Sequence, residues 1–293
     1  MRARPLSNGG VVAIVPTFNE PEELRRVVES LVSQGVDGLH VLVINAGNPL
    51  PEDIASQVEE TMVDAECYWT HCINKGFEIV SGRGYGFVYL TNADTYALPG
   101  TLAALLEHAS KDNKSIACAP AYIQQGSEMR LLYSHQDPMG FLLYGRLIRP
   151  WVDRSDQTDR TDQSFQIVLT GGQGVLFSSK ILQEHRMDEV NFPHYASDHD
   201  FWLTLRAEGY RLTLLPQTGV VNTRTLSAQH GSGFGVKMKA LWRRMTSDKT
   251  PESWRIMWRL RRKHLPWPVA VLSTVVSFGL RWTVGLPKIL RRT

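Results

Sequence analysis

Phe87-Val88-Tyr89-Leu90-Thr91-Asn92-Ala93-Asp94-Thr95 is the stretch on which the fold turns. Four β-prone residues run into a small polar cluster that ends in a carboxylate, and Pro99-Gly100 then opens an amphipathic run. In an open parallel sheet, ligands sit at the carboxyl ends of strands, where the chain leaves the core. A strand that delivers Asn92 and Asp94 to that edge supplies oxygen ligands for a hard divalent ion carried by a phosphate. Asn and Asp also form turns readily, so these nine residues alone leave a plain turn open.

The flanking chain reads as the rest of an α/β domain. Val11-Val12-Ala13-Ile14-Val15 is a continuous apolar run, as expected of a strand covered on both faces. Pro16-Thr17-Phe18-Asn19-Glu20 breaks it. A helix follows, with Pro21 in its first turn, Asn19 or Glu20 as cap, and Glu22 and Glu23 at its positive end. Leu24, Val27, Val28, Leu31 and Val32 keep helical spacing up to Gly35. Val41-Leu42-Val43-Ile44 is a second buried strand, ending at Asn45. Such a strand–helix–strand unit makes a right-handed crossover in a parallel sheet. No G-x-G-x-x-G joins the first strand to its helix, which disfavours a dinucleotide fold. A helix is expected near Glu52–Met62 and another on Leu102, Leu105, Leu106 and Ala109. Strands are expected at Ile116–Ala119 and Val175-Leu176-Phe177. Residues 122–165 read as an irregular surface or lid region.

Composition sets wide bounds. The 293 residues, 43% hydrophobic and 21% charged, can bury one large core. The three cysteines, Cys67, Cys72 and Cys118, are odd in number and irregularly spaced. That argues against a disulfide framework or a zinc site and fits a reducing compartment. Met1 to Gly10 carries two arginines and no apolar segment, so a secretory signal is not expected.

Two later stretches carry candidate chemistry. In Thr170-Gly171-Gly172-Gln173-Gly174, three glycines let the backbone approach a ligand or start a bulged strand, and both readings stay open. Ser197-Asp198-His199-Asp200 precedes a helix carrying Phe201, Trp202 and Leu205. Asp198 suits an N-cap. A carboxylate facing a cleft can also accept a proton from an attacking hydroxyl, so capping and catalysis are compatible. His199 reads as a surface histidine.

Taken in order, these motifs resemble the family-two glycosyltransferases of the GT-A fold, nearest to bacterial rhamnosyltransferase-like members, over roughly residues 10–230. Pro16-Thr17-Phe18-Asn19-Glu20 is similar to the family's first-strand motif, which lies under the nucleotide base. Asn45 stands where the family usually has an aspartate contacting the base or its ribose. Asn74-Lys75-Gly76 resembles the Asn-Arg-Gly element before the metal motif, with Lys75 near the diphosphate. Asn92-Ala93-Asp94-Thr95 resembles a variant of the metal motif itself. The resemblance implies that Asp94 binds Mg2+ or Mn2+ bridging the donor diphosphate. It implies that Gly171, Gly172 and Asp200 lie on the acceptor side and that Asp198 is the general base of an inverting transfer. For the late metal ligand, Asn222 sits nearer the usual position and His230 has the better local sequence; His230 is favoured. Three departures stand out: Asn45 for aspartate, Cys67-Tyr68-Trp69 where an Asn-x-Gly pair is usual, and Ser197 for glutamate.

The fold class expected is therefore α/β, a GT-A fold with a mostly parallel sheet flanked by helices and a C-terminal helical appendage. Residues 1–235 form the transferase domain and 236–293 the appendage. The partners implied are a dTDP- or UDP-sugar donor and a glycan or polyprenyl-linked acceptor in cell-surface polysaccharide synthesis. The alternative is a catalytically inactive binding or scaffold protein on the same fold. From Lys237 to His264, ten Lys and Arg face only Asp248 and Glu252, with Trp242, Trp254 and Trp258 interleaved. Basic residues among tryptophans fit an anionic membrane surface. Leu265 to Leu286 is apolar but interrupted by Pro266, Pro268 and Arg281, so a surface or re-entrant helix is favoured over a span. This places the chain in the cytoplasm, peripheral at the inner face of the membrane. Without a recognised reader motif, nucleic acid is not an expected partner.

Overall fold

The computed structural model describes residues 9–125, 128–133, 164–223, 238–239, 242–243, 245–247, 250 and 253–290, with backbone only beyond 280. The chain runs β1 (Val11–Thr17), α1 (Pro21–Val32), β2 (His40–Asn45), α2 (Glu52–Ala55), β3 (Glu59–Met62), α3 (Trp69–Ser81), β4 (Phe87–Leu90), β5 (Thr95–Ala97), α4 (Thr101–Ala109), β6 (Ser115–Cys118), β7 (Ala121–Gln125) and β8 (Glu128–Tyr133). It continues through β9 (Phe165–Ile167), β10 (Val175–Ser178), α5 (Ser197–Ala207), β11 (Arg211–Leu214), β12 (Val220–Asn222), α6 (Trp254–His264) and α7 (Trp267–Leu290).

Eight strands form the main sheet in the order β3-β2-β1-β4-β10-β6-β11-β9. β1 pairs in parallel with β2 and β4, and β2 with β3. β10 enters antiparallel between β4 and β6, and β9 closes the far edge antiparallel to β11. A second sheet, β5-β12-β7-β8, hangs from the chain just after Asp94.

Alternation along the central strands divides the core in two, because successive side chains leave a strand on opposite faces. Val12 and Ile14 of β1, Leu42 and Ile44 of β2, Val88 and Leu90 of β4, and Val175 and Phe177 of β10 share one cluster with α3 and α5. Val11, Ala13, Val15, Val41, Val43, Tyr89 and Leu176 share the other with α1 and α4. Both faces are thus sealed, and only strand ends can offer a site.

Some local expectations needed correction. Glu52–Met62 is not one helix: α2 spans four residues, and the chain then becomes β3, an edge strand on β2. Its half-exposed, acid-rich sequence suits an edge, which must repel other strands. Val32 is 56% exposed, because α1 turns it past the apolar stripe of Leu24, Val27, Val28 and Leu31. The 122–165 stretch begins with the β7–β8 hairpin; residues 126–127 and 134–163 lie outside the described residues. The helix after Ala196 starts at Ser197, so Ala196, at φ +69°, is the N-cap and Asp198 falls inside the first turn.

α6 packs into the same core as α3 and α5, through Ile256, Met257 and Leu260. Among the described residues, no helix is long and apolar enough to cross a membrane.

Candidate active site

A cavity of about 970 Å³ opens at the carboxyl ends of three parallel strands. Pro16 and Thr17 come from the end of β1, Ala46 follows β2, and Asn92, Ala93 and Asp94 follow β4. Because β10 runs the other way, its entry, Gly171-Gly172-Gln173, reaches the same edge. The first turn of α3 brings Trp69 and Cys72, the loop into α5 brings His194, Tyr195 and Ala196, and the first turn of α5 brings Asp198 and His199. Two carboxylates far apart in the chain, Asp94 and Asp198, therefore line one cavity.

Asp94 is 5% exposed and held from behind. Its main-chain oxygen accepts from Thr223 N at 2.8 Å and Thr223 Oγ1 at 3.1 Å. The Thr95 hydroxyl, with one proton to give, lies 2.9 Å from Asp94 Oδ1 and 2.5 Å from Gln173 Oε1, and accepts from Asn222 Nδ2 at 3.3 Å. Asp198 Oδ1 accepts from His199 N at 2.8 Å, which orients the carboxylate at the helix start. Trp69 lines the same cavity. Its Nε1 donates to Asn92 Oδ1 at 2.8 Å, and its ring lies against Gly172, where a Cβ would come within 2.6 Å of the indole and 3.4 Å of Asp198 Cβ.

Several residues expected at the site are elsewhere. On α3, Trp69, Cys72, Ile73, Gly76, Phe77 and Val80 make the inward stripe, so the helical phase turns Asn74 and Lys75 away. Asn74 instead pins the loop before α5: its Nδ2 donates to Met187 O at 2.9 Å, and its Oδ1 accepts from Met187 N at 2.9 Å. Lys75 pairs with Glu78 at 2.9 Å on the outside. Asn19 and Asn45 line a smaller neighbouring hollow of about 280 Å³, which shares Thr17 and Glu20 with the main cavity. Asn45 is 1% exposed and spends its amide internally, donating to Asn48 O and Glu60 Oε1 at 2.7 Å each and accepting from Gly47 N at 2.8 Å. His230 lies outside the described residues.

Asp200 does not face the cavity. It is 3% exposed and grips α6, accepting from Lys263 Nζ at 2.9 Å, with His264 Nε2 at 2.8 Å. Lys263 also reaches Asp188 Oδ2 at 3.0 Å. Asp200→Asn keeps the shape and removes the charge that the Lys263 ammonium faces. It should cost roughly 2 kcal/mol and lower the thermal unfolding midpoint by about 5 °C, which a melt by circular dichroism reads directly. An unchanged midpoint would mean the α5–α6 grip carries no stability.

Other lining residues were not singled out from sequence. Trp69, Gln173, His194 and Tyr195 lack a local pattern; against the surface position expected for His199, its side chain is 17% exposed and lines the cavity. Cys72 also lines it, but burial pushes its thiol up to about 11, so it is not a thiolate nucleophile.

A metal would have to be held sparingly. Among the described residues, no three His, Cys, Asp or Glu come together as a ready-made cage. One strand-end carboxylate on the cavity, Asp94, suits an ion such as Mg2+ that takes most of its ligands from water and substrate phosphates.

The family model for glycosyl transferase family 2 matches residues 12–179. The chain belongs to glycosyl transferase family 2. It has the GT-A fold, and two solved structures show the same architecture. The crystal structure of GalNAc-T7 with UDP, GalNAc and Mn2+ superposes with a TM-score of 0.62 at 12% identity, over 88% of this chain and 52% of that one. S. aureus TarS gives a TM-score of 0.52, also at 12% identity, over 88% of this chain and 44% of that one. The chain spans about half the length of either. No curated protein matches it.

Proposed function

We propose that this glycosyltransferase performs a metal-dependent, inverting transfer from a nucleoside-diphosphate sugar, UDP- or dTDP-linked, to a hydroxyl of a glycan or polyprenyl-linked acceptor in cell-surface polysaccharide synthesis. The observation that carries the reading is the shared cavity of Asp94 and Asp198. The Mn2+ and UDP bound by GalNAc-T7 support a nucleotide donor and a divalent ion here as well.

The residues divide the work. Pro16, Thr17, Glu20 and Asn92 bind the donor beside Asp94, and Gly171 and Gly172 leave backbone room for the acceptor. A divalent cation on Asp94, Mg2+ or Mn2+, would supply neutralisation of the charge that develops on the leaving diphosphate. Asp198 takes the proton of the acceptor hydroxyl as its oxygen bonds to the anomeric carbon and the bond to the diphosphate breaks. Because the attack comes from the face opposite the leaving group, the configuration inverts. Residues 1–235 are the transferase domain in this reading, and 236–293 meet an anionic membrane surface at the inner face of the cell membrane.

Screening UDP- and dTDP-sugars with Mn2+ for release of the nucleoside diphosphate tests the activity; release from none of them sinks the reading in favour of an inactive binding protein. Gly172→Ala tests the Trp69 side of the cavity. Its Cβ would lie 2.6 Å from the Trp69 ring, closer than real Cβ contacts, so the indole or the Gly172 backbone must shift beside the Trp69–Asn92 bond. A roughly tenfold or greater loss of kcat/KM is expected, because small misplacements at a reacting centre cost rate steeply. Wild-type kinetics would show that the Trp69 contact does not shape the site.

A further inference from the structure

α7 is built inside out. A helix lying on a soluble core turns its apolar stripe inward and its polar face to water. Here Ser273, Thr274 and Ser277 are 6%, 9% and 3% exposed, whereas Trp267, Val269, Leu272 and Val275 are 65%, 40%, 66% and 64% exposed. The inward polar stripe has a partner. Arg261 of α6, fully buried, donates to Ser273 O at 3.1 Å and to Ser277 Oγ at 2.6 Å. The two helices therefore form a hairpin locked by a buried cation, with the apolar side outward.

Single exposed apolar residues need no explanation. Val269, Leu272 and Val275 recur every three residues along one helix, so they form a stripe. From Trp267 to Leu280 that helix carries no charged side chain. The neighbouring α6 is the opposite: Arg255, Arg259, Arg262 and Lys263 are exposed, the helix has no acid, and Arg255 sits 5.9 Å from the exposed Trp254 ring.

The geometry points to a monotopic membrane anchor: the outer stripe of α7 lies in the acyl–headgroup boundary of an anionic bilayer, and the α6 arginines meet its phosphates. An apolar stripe beside cations and interfacial tryptophans is the pattern that such a surface selects. A second copy of the chain fits less well, since a self-complementary interface would bring two acid-free basic helices together. The inference rests on the membrane reading of residues 236–293 and goes beyond it by naming the residues that enter the lipid and excluding a span. It also gives the cavity a route to a lipid-linked acceptor, because the same hairpin holds α5 through Lys263 and Asp200.

Flotation of the full chain with phosphatidylglycerol–phosphatidylcholine vesicles, against pure phosphatidylcholine vesicles, tests it. Wild type should float with the anionic vesicles. Leu272→Glu with Val275→Glu should cut the bound fraction at least tenfold without lowering the unfolding midpoint, since both positions are exposed. Arg255→Glu and Arg262→Glu should each weaken binding about fivefold on the anionic vesicles. The inference is overturned if wild type does not float, if the paired glutamates bind like wild type, or if the arginine variants are indifferent to lipid charge. It is also overturned if the glutamates instead split a dimer seen by sedimentation, with no vesicle binding. Flotation needs neither donor nor acceptor, so it fails or succeeds independently of the transfer reaction.

Discussion

Asp198→Asn should lower turnover about a thousandfold, the scale of a lost general base, while donor affinity stays within about threefold of wild type. The amide keeps the shape and can still accept from His199 N, the contact that orients the side chain at 2.8 Å. What it loses is the ability to hold the proton of the acceptor hydroxyl. His199 is the internal control, because it lines the same cavity and its Nε2 lies 4.0 Å from Asp198 Oδ1. If the imidazole were the base, His199→Gln would carry the large loss and Asp198→Asn would not. Turnover by Asp198→Asn near the wild-type rate removes Asp198 from the role.

Asp94→Asn should fail one step earlier, at donor binding. With its neighbours arranged as they are, the asparagine still fits between Thr95 and Thr223 and the fold should hold. A neutral amide is a poor ligand for a hard cation beside a diphosphate. Affinity for the nucleoside diphosphate in the presence of Mn2+ should drop at least about a hundredfold, since even the outer partners of metal ligands are worth ten- to a hundredfold. For wild type at a donor concentration of ~100 Kd, stabilisation of about 2.7 kcal/mol is expected, and the variant should lose nearly all of it. A variant that still binds donor tightly and turns it over would separate Asp94 from the metal.

Much of this architecture is legible before any coordinates. The apolar runs at 11–15, 41–44 and 87–90 declare strands sealed on both faces, and Asn92 and Asp94 stand at the end of one of them. Asp198 is visible because an acid opens an amphipathic helix. The placement of Asn74 and Lys75 could have been corrected from sequence as well, since Trp69, Cys72, Ile73, Gly76, Phe77 and Val80 already mark the stripe that excludes them. β3 was harder: four residues with two glutamates have no apolar period, and only pairing with β2 makes them a strand. Trp69, Gln173 and His199 were illegible for another reason. Nothing near them in the chain requires a cavity, and only the tertiary packing of α3, α5 and the entry to β10 brings their segments together. Asp200 shows the limit of motif reading, since its carboxylate is committed to Lys263 and His264, 63 and 64 residues downstream.

In the proposed reaction the two acids on one cavity do different jobs, Asp94 on the donor and Asp198 on the acceptor. Titration of the nucleoside diphosphate with Mn2+ into wild type, Asp94→Asn and Asp198→Asn tests it most directly. Affinity should be lost in the first variant and kept in the second. Equal affinities in both variants, or loss in Asp198→Asn alone, would contradict it.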